Sequence, residues 1–138
     1  MEQVKNARFQ FKRYRILKSY IEINESTIDS SDLSMMVEME PAIELKTEEG
    51  IFNLLLKVHV YDEKNIIDMS FDIKGYYKYD KNCDRDCLRS FLTRNAPAIL
   101  FPYLRAYITN LTSLSGIQPI ILPTYNMTGI GQKGGSIS

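Results

Sequence analysis

From residue 35 to residue 79, apolar and polar side chains alternate through three successive runs that are interrupted only by stretches of about four residues. In MMVEMEPAIELK (35–46), Met35, Val37, Met39, Ile43 and Leu45 fall on one side, with Glu38, Glu40 and Glu44 on the other. FNLLLKVHVYD (52–62) sets Leu54, Leu56, Val58 and Val60 against Asn53, Lys57, His59 and Tyr61. IIDMSFDIKGYYKY (66–79) sets Ile67, Met69, Phe71 and Ile73 against Asp68, Ser70, Asp72 and Lys74. A period of two is the signature of a strand with one covered face. Connections as short as TEEG (47–50) and DEKN (62–65) leave room only for antiparallel neighbours.

A fourth run, FQFKRYRILKSYIEI (9–23), is rich in aromatic and β-branched residues, and its alternation slips between Tyr14 and Leu17. The slip predicts a bulge or a strong bend. The expected sheet is therefore an antiparallel meander of about four strands with one wetter face. Pro41 cannot donate to a ladder, so the strand carrying it belongs at an edge or breaks there.

After residue 80 the spacing turns helical. DRDCLRSFLTRN (84–95) puts Cys87, Leu88, Phe91 and Leu92 on one stripe, and Asp84 and Asp86 suit a helix start. APAI is read as a break. In the following helix Leu100, Leu104, Tyr107, Leu111 and Leu114 form a stripe flanked by Phe101 and Ile108, and Arg105, Thr109 and Thr112 form a polar strip. Pro102 requires that this helix begin near Ala98 to Phe101, where a missing amide costs nothing. Gly116 ends it. The helix is apolar on more than one side. One side must cover the sheet, and the other calls for a partner subunit or a ligand. Strands first and helices last make an α+β layer arrangement: a four-stranded antiparallel sheet with two C-terminal helices packed on one face.

A length of 138 residues suits one domain, read as residues 1–128 followed by a flexible tail, 129–138. Seventeen basic residues balance seventeen acidic ones, so composition offers no argument for nucleic acid. No run is long and apolar enough to span a membrane, and MEQVKNARFQFKRYR does not read as a signal peptide, which makes the cytoplasm the default location. Cys83, Cys87 and the lone His59 do not add up to a metal site. GIGQKG (129–134) has the glycine spacing of a dinucleotide loop but lacks the strand before it and the helix after it. Nothing resembles a catalytic set, and neither an enzyme nor a cofactor is expected.

ILFPYLRAYITNLTSLSGIQPIILPTYN (99–126) resembles the SecB-type protein-export chaperones, in which a helix opens with N-I-L-F-P-Y-x-R and runs into I-T-x-L. The matching residues are Ile99, Leu100, Phe101, Pro102, Tyr103, Arg105, Ile108, Thr109, Leu111, Leu122 and Asn126. FQFKR, PAIELK, VHV and KGYYKY extend the agreement upstream, to about residues 8–126. The resemblance implies a homotetramer, a dimer of dimers with helices between two eight-stranded sheets. It implies nucleotide-independent binding of unfolded polypeptides in long apolar grooves. By position the groove strand falls on Ile67, Met69, Phe71 and Ile73, the wall after the helix on Ile117, Ile120 and Leu122, and a covering loop on Met35 and Val37. The family presents an acidic sheet face to the SecA motor, and the corresponding docking face here would include Glu22, Asp68 and Ser70. This chain departs from that pattern by mixing Lys12, Lys18, Lys46, Lys57 and Lys74 into the face, which speaks against SecA. The alternatives are a dedicated chaperone of a toxin–antitoxin system and an oligomeric interaction protein without chaperone activity.

Overall fold

The computed structural model describes residues 9–25, 34–123 and 135–137. Four long strands form the sheet: β1 (Phe9–Ile23), β2 (Met35–Lys46), β3 (Ile51–Asp62) and β4 (Ile67–Tyr79). Every pairing is antiparallel, and the order across the sheet is β1-β4-β3-β2, followed by the short strand β5 (Gly135–Ile137). The tight turns join β2 to β3 and β3 to β4 as expected. Gly50 closes the first turn at φ 66, where a Cβ would meet the Tyr79 carbonyl at 2.8 Å. Asp62 holds the second by accepting from the Ile67 amide (2.7 Å) and the Lys64 amide (3.0 Å).

The expected meander needs correction at β1. Its longer connection carries it past β2 to the far side of β4, which gives a Greek-key order in place of a simple meander. The register of β1 shifts twice, between Phe11 and Arg13 and between Ile16 and Lys18. Leu17, at the second irregularity, is left exposed. β5 pairs with Met35–Val37 at the other edge. Residues 135–137 of the expected tail are thus a strand; residues 129–134, with the glycine motif, lie outside the described residues.

The helices also differ from expectation. α1 (Arg85–Ser90) is capped by Asp84, whose carboxylate accepts from the Cys87 amide at 2.7 Å. It does not stop at APAI. It passes through a π-helical turn, Phe91–Asn95, into α2 (Ala96–Leu114), with the Ala96 amide donating to the Phe91 carbonyl. Pro97 cannot donate into the ladder and crowds the carbonyl a turn behind it, so the ladder widens by one residue instead of breaking. The two expected helices are therefore joined. Pro102 lies well inside α2 on its exposed side, where water can serve the Ala98 carbonyl that it leaves unpaired.

α2 covers one face of the sheet with Ala96, Pro97, Leu100, Phe101, Leu104, Ile108 and Thr112. Thr112, expected on a polar strip, is fully buried, and Leu114, expected on the apolar stripe, is 87% exposed. The contact line thus follows steps of four, 100-104-108-112. Tyr77 fastens helix to sheet: its ring stacks on Phe52 at 4.6 Å and its hydroxyl donates to the Ala96 carbonyl at 2.7 Å. Burial pushes its phenol pKa far up.

Candidate functional site

The covered face of the sheet is a set of rows running across the strands. The register aligns Ile21, Met69, Val60 and Val37 in one row, and Ser19, Phe71, Val58 and Met39 in the next. Further along, Ile16, Ile73, Leu56 and Pro41 align, then Tyr14, Gly75, Leu54 and Ile43, then Phe11, Tyr77, Phe52 and Leu45. Ile67, Met69, Phe71 and Ile73 do share one face, yet each is at most 1% exposed. Within a single chain they are core, not the floor of an open trough. Met35 and Val37 are likewise buried strand residues and not a covering loop. Phe71 meets Tyr107 of α2 edge-on at 5.9 Å, and the Tyr107 hydroxyl donates to Ser19 Oγ at 2.9 Å.

The segment after α2 closes over this core. Leu122 is buried in the same cluster as Met69 and Phe71, and Ile117 and Ile120 pack against it half-buried. Two helix threonines hold the segment. The Ile120 amide donates to Thr112 Oγ1 at 2.9 Å, and Thr109 Oγ1 donates to the Ile120 carbonyl at 3.0 Å. This strap has few fastenings besides its own apolar burial.

At the opposite end of the face the cover runs out. Ile43 and Leu45 continue the inner side of β2 but are 44% and 42% exposed, because α2 packs on β3 and β4 and leaves the later half of β2 bare. Leu45 also lines a cleft of about 410 Å³ with Thr47, Tyr79, Leu88 and Leu92, with Lys81, Arg85 and Arg89 around it. Sequence reading placed Ile43 and Leu45 on the apolar face without assigning them to the site. Pro41, marking an edge strand, was the available signal.

The outward face is mostly polar, with Leu55 and Ala42 among its charged and hydroxyl-bearing residues. His59 contacts Asp68 at 2.5 Å and stacks on Tyr61 at 4.5 Å, while the Tyr61 hydroxyl donates to Glu38 at 3.0 Å. Glu38 holds the Tyr61 phenol above its ordinary range, as Glu22 does for Tyr20. Of the docking residues expected here, Glu22 and Asp68 are register partners, and Ser70 is paired with Tyr20 and His59. Among the described residues no group of His, Cys, Asp or Glu could hold a metal ion, and no helix is long and apolar enough to cross a membrane.

The family model of the preprotein translocase subunit SecB matches residues 31–133, three quarters of the chain. The chain belongs to the SecB family. Its relatives include an uncharacterized protein of Methanocaldococcus jannaschii, 27% identical over 135 residues, covering 94% of this chain and 86% of that one. The protein-export protein SecB of Dechloromonas aromatica is 27% identical over 118 residues, covering 72% of this chain and 77% of that one. Among solved structures, a SecB-like chaperone of Mycobacterium tuberculosis in complex with a ChAD peptide from an antitoxin superposes with a TM-score of 0.71. That match spans 90% of this chain and 92% of the other at 18% identity, and it shows that the SecB fold is shared. This SecB-family chain thus keeps the antiparallel sheet and long helix of the family, with the two expected helices run together.

Proposed function

We propose that this SecB-family protein is an ATP-independent chaperone that holds non-native polypeptides against the apolar face of its sheet. The observation that carries the reading is the incompletely covered inner face: Ile43 and Leu45 stand open beside an apolar cleft, in line with a fully buried core. Large apolar side chains left bare in this way mark interaction sites. A client first docks at that open end. It reaches the row Ile67, Met69, Phe71 and Ile73, and beside it Met35 and Val37, where it displaces the strap bearing Ile117, Ile120 and Leu122. A bound segment of about 15 residues burying about 1,000 Å² gains about 25 kcal/mol and loses about 22 kcal/mol to ordering. Each groove accordingly binds weakly, and one client spread over several grooves gains avidity.

That multiplicity comes from a homotetramer. Two features support it. α2 carries a single charged residue, Arg105, in nineteen residues, and its outer side shows Ala98, Pro102, Ala106 and Ser113. The outer edge of β1 has no neighbouring strand among the described residues. Location in the cytoplasm accords with this reading.

The test is suppression of aggregation of several unrelated denatured proteins without nucleotide, with Ile43→Glu/Leu45→Glu as the comparison. Wild type should suppress and the variant should lose most of that effect at unchanged thermal stability. Failure of wild type to bind any unfolded chain would overturn the proposal and leave a plain interaction protein. A second reading is a dedicated chaperone for one antitoxin-like partner, favoured by the solved SecB-like chaperone that carries an antitoxin peptide. Protection of a single partner, with no effect on unrelated chains, would select it. SecA docking is the weaker variant, given the mixed charges of the outer face.

A further inference from the structure

The chain is neutral overall, but the outward sheet face is not. Register assigns each outward residue to a row. Lys78 and Lys46 occupy the two end positions nearest the β2–β3 turn; Arg13, Tyr76, Asn53 and Glu44 form the next row; Arg15 and Lys74 follow with Leu55 and Ala42. The middle row alternates Lys18, Asp72, Lys57 and Glu40, and so cancels. Beyond it lie Glu38 in one row and Glu22 with Asp68 in the last, with His59 between them. Charge runs from strongly positive at one end of the face to negative at the other.

The positive end is concentrated. The guanidinium of Arg13 lies 4.5 Å from the centre of the Tyr76 ring, that of Arg15 5.9 Å, and Lys74 Nζ 5.4 Å. Three cations on one ring repel each other, and intramolecular anions do little to relieve them. Glu44 is the sole acidic side chain in these rows, and its contact with Lys74 is at 4.0 Å. Glu44 is also engaged by Asn53, whose amide donates to it at 3.0 Å and, with the nearby lysines, holds its pKa low. Among the described residues Arg13 and Arg15 form no ion pair. An unneutralised cluster of planar guanidinium groups favours bidentate carboxylates or phosphates.

We propose that this basic end, centred on Arg13, Arg15 and Lys74 around Tyr76, docks a short acidic segment of a partner protein. Size argues for a protein segment over a nucleic acid. With about 3.4 Å per residue along a strand and about 4.8 Å between strands, the basic rows span only about 14 Å by 14 Å. That footprint fits about four extended residues. A longer polyanion running along the strands meets Glu38, Glu22 and Asp68 and is repelled. The site lies on the face opposite the apolar one and stands apart from the chaperone reading.

The experiment is fluorescence anisotropy of a labelled peptide with four consecutive glutamates, at low ionic strength, against wild type and Arg13→Glu/Lys74→Glu. Wild type should bind; the reversal should weaken binding at least about tenfold, with circular dichroism unchanged; and added salt should weaken wild type too. A twenty-residue oligothymidylate should bind more weakly than the peptide. Absence of peptide binding, binding that survives the reversal, or tighter binding of the oligonucleotide would each overturn the proposal. So would a sedimentation mass that drops on charge reversal, since the patch would then join copies of this chain. If the double variant does not fold, Arg15→Gln decides, with an expected weakening of about threefold.

Discussion

Thr112→Val removes one hydroxyl from the interior while keeping the side chain's volume. That hydroxyl is fully buried, donates to the Ile108 carbonyl at 2.8 Å and accepts from the Ile120 amide at 2.9 Å. The valine methyl can do neither. The Ile108 carbonyl retains its place in the helix ladder, so the main loss is at Ile120, whose amide is left without its partner. An unsatisfied donor of this kind costs about 1–3 kcal/mol. The proposed strap can escape the penalty by opening locally, since water then serves the freed amide. Its opening constant should rise by about 5- to 150-fold. Native-state hydrogen exchange measures this directly. The amides of Ile117, Gln118, Ile120, Ile121 and Leu122 should exchange faster by that factor, while those of Leu104 to Ile108 stay protected. Client capture should quicken in parallel, and Thr112→Ser, which keeps the hydroxyl, should behave as wild type. The reasoning is refuted if exchange at Ile120 is unchanged while global stability falls by the same 1–3 kcal/mol. Strap and core would then open only together, and Thr112 would be core and nothing more.

Phe71→Ala should cost about 3–5 kcal/mol in urea unfolding, because the ring is 1% exposed and its removal leaves a cavity; a cost under about 1 kcal/mol would mean that the row is open after all. Asp84→Ala should cost about 1 kcal/mol of thermal stability through the lost cap on Cys87, with client binding unchanged. Tyr77 supplies a pH dependence. Its folded pKa is raised, so its contribution is complete below about pH 10, the unfolded value, and drains away as pH climbs above it. Tyr77→Phe should flatten the alkaline decline in urea midpoint while lowering stability at neutral pH through the lost bond to Ala96.

Much of the fold was legible because alternation of period two reports directly which side of a strand each residue takes. Met69, Phe71 and Ile73 were assigned to the right face, as were Asp68 and Ser70 on the other. The cap at Asp84 and the bulged β1 could also be read from local chemistry. The family could be read from a resemblance, carried by the run Ile99 to Arg105 around Pro102 and by Ile108, Thr109 and Leu111 after it.

Other features lay beyond the sequence because they depend on what comes to rest against a face. Alternation says that Phe71 and Leu45 both point inward; only the placement of α2 buries the first and leaves the second bare. Spacing put Thr112 on a polar strip, and the returning strap gave its hydroxyl a buried partner. Equal numbers of acids and bases read as neutrality, until the pairing of β1 with β4 gathered Arg13 and Arg15 beside Lys74. A residue's direction is a local property of its strand, set within two or three neighbours in the chain. Its cover and its neighbouring charges come from segments tens of residues away, and those are settled only when the strands pair and the helix docks.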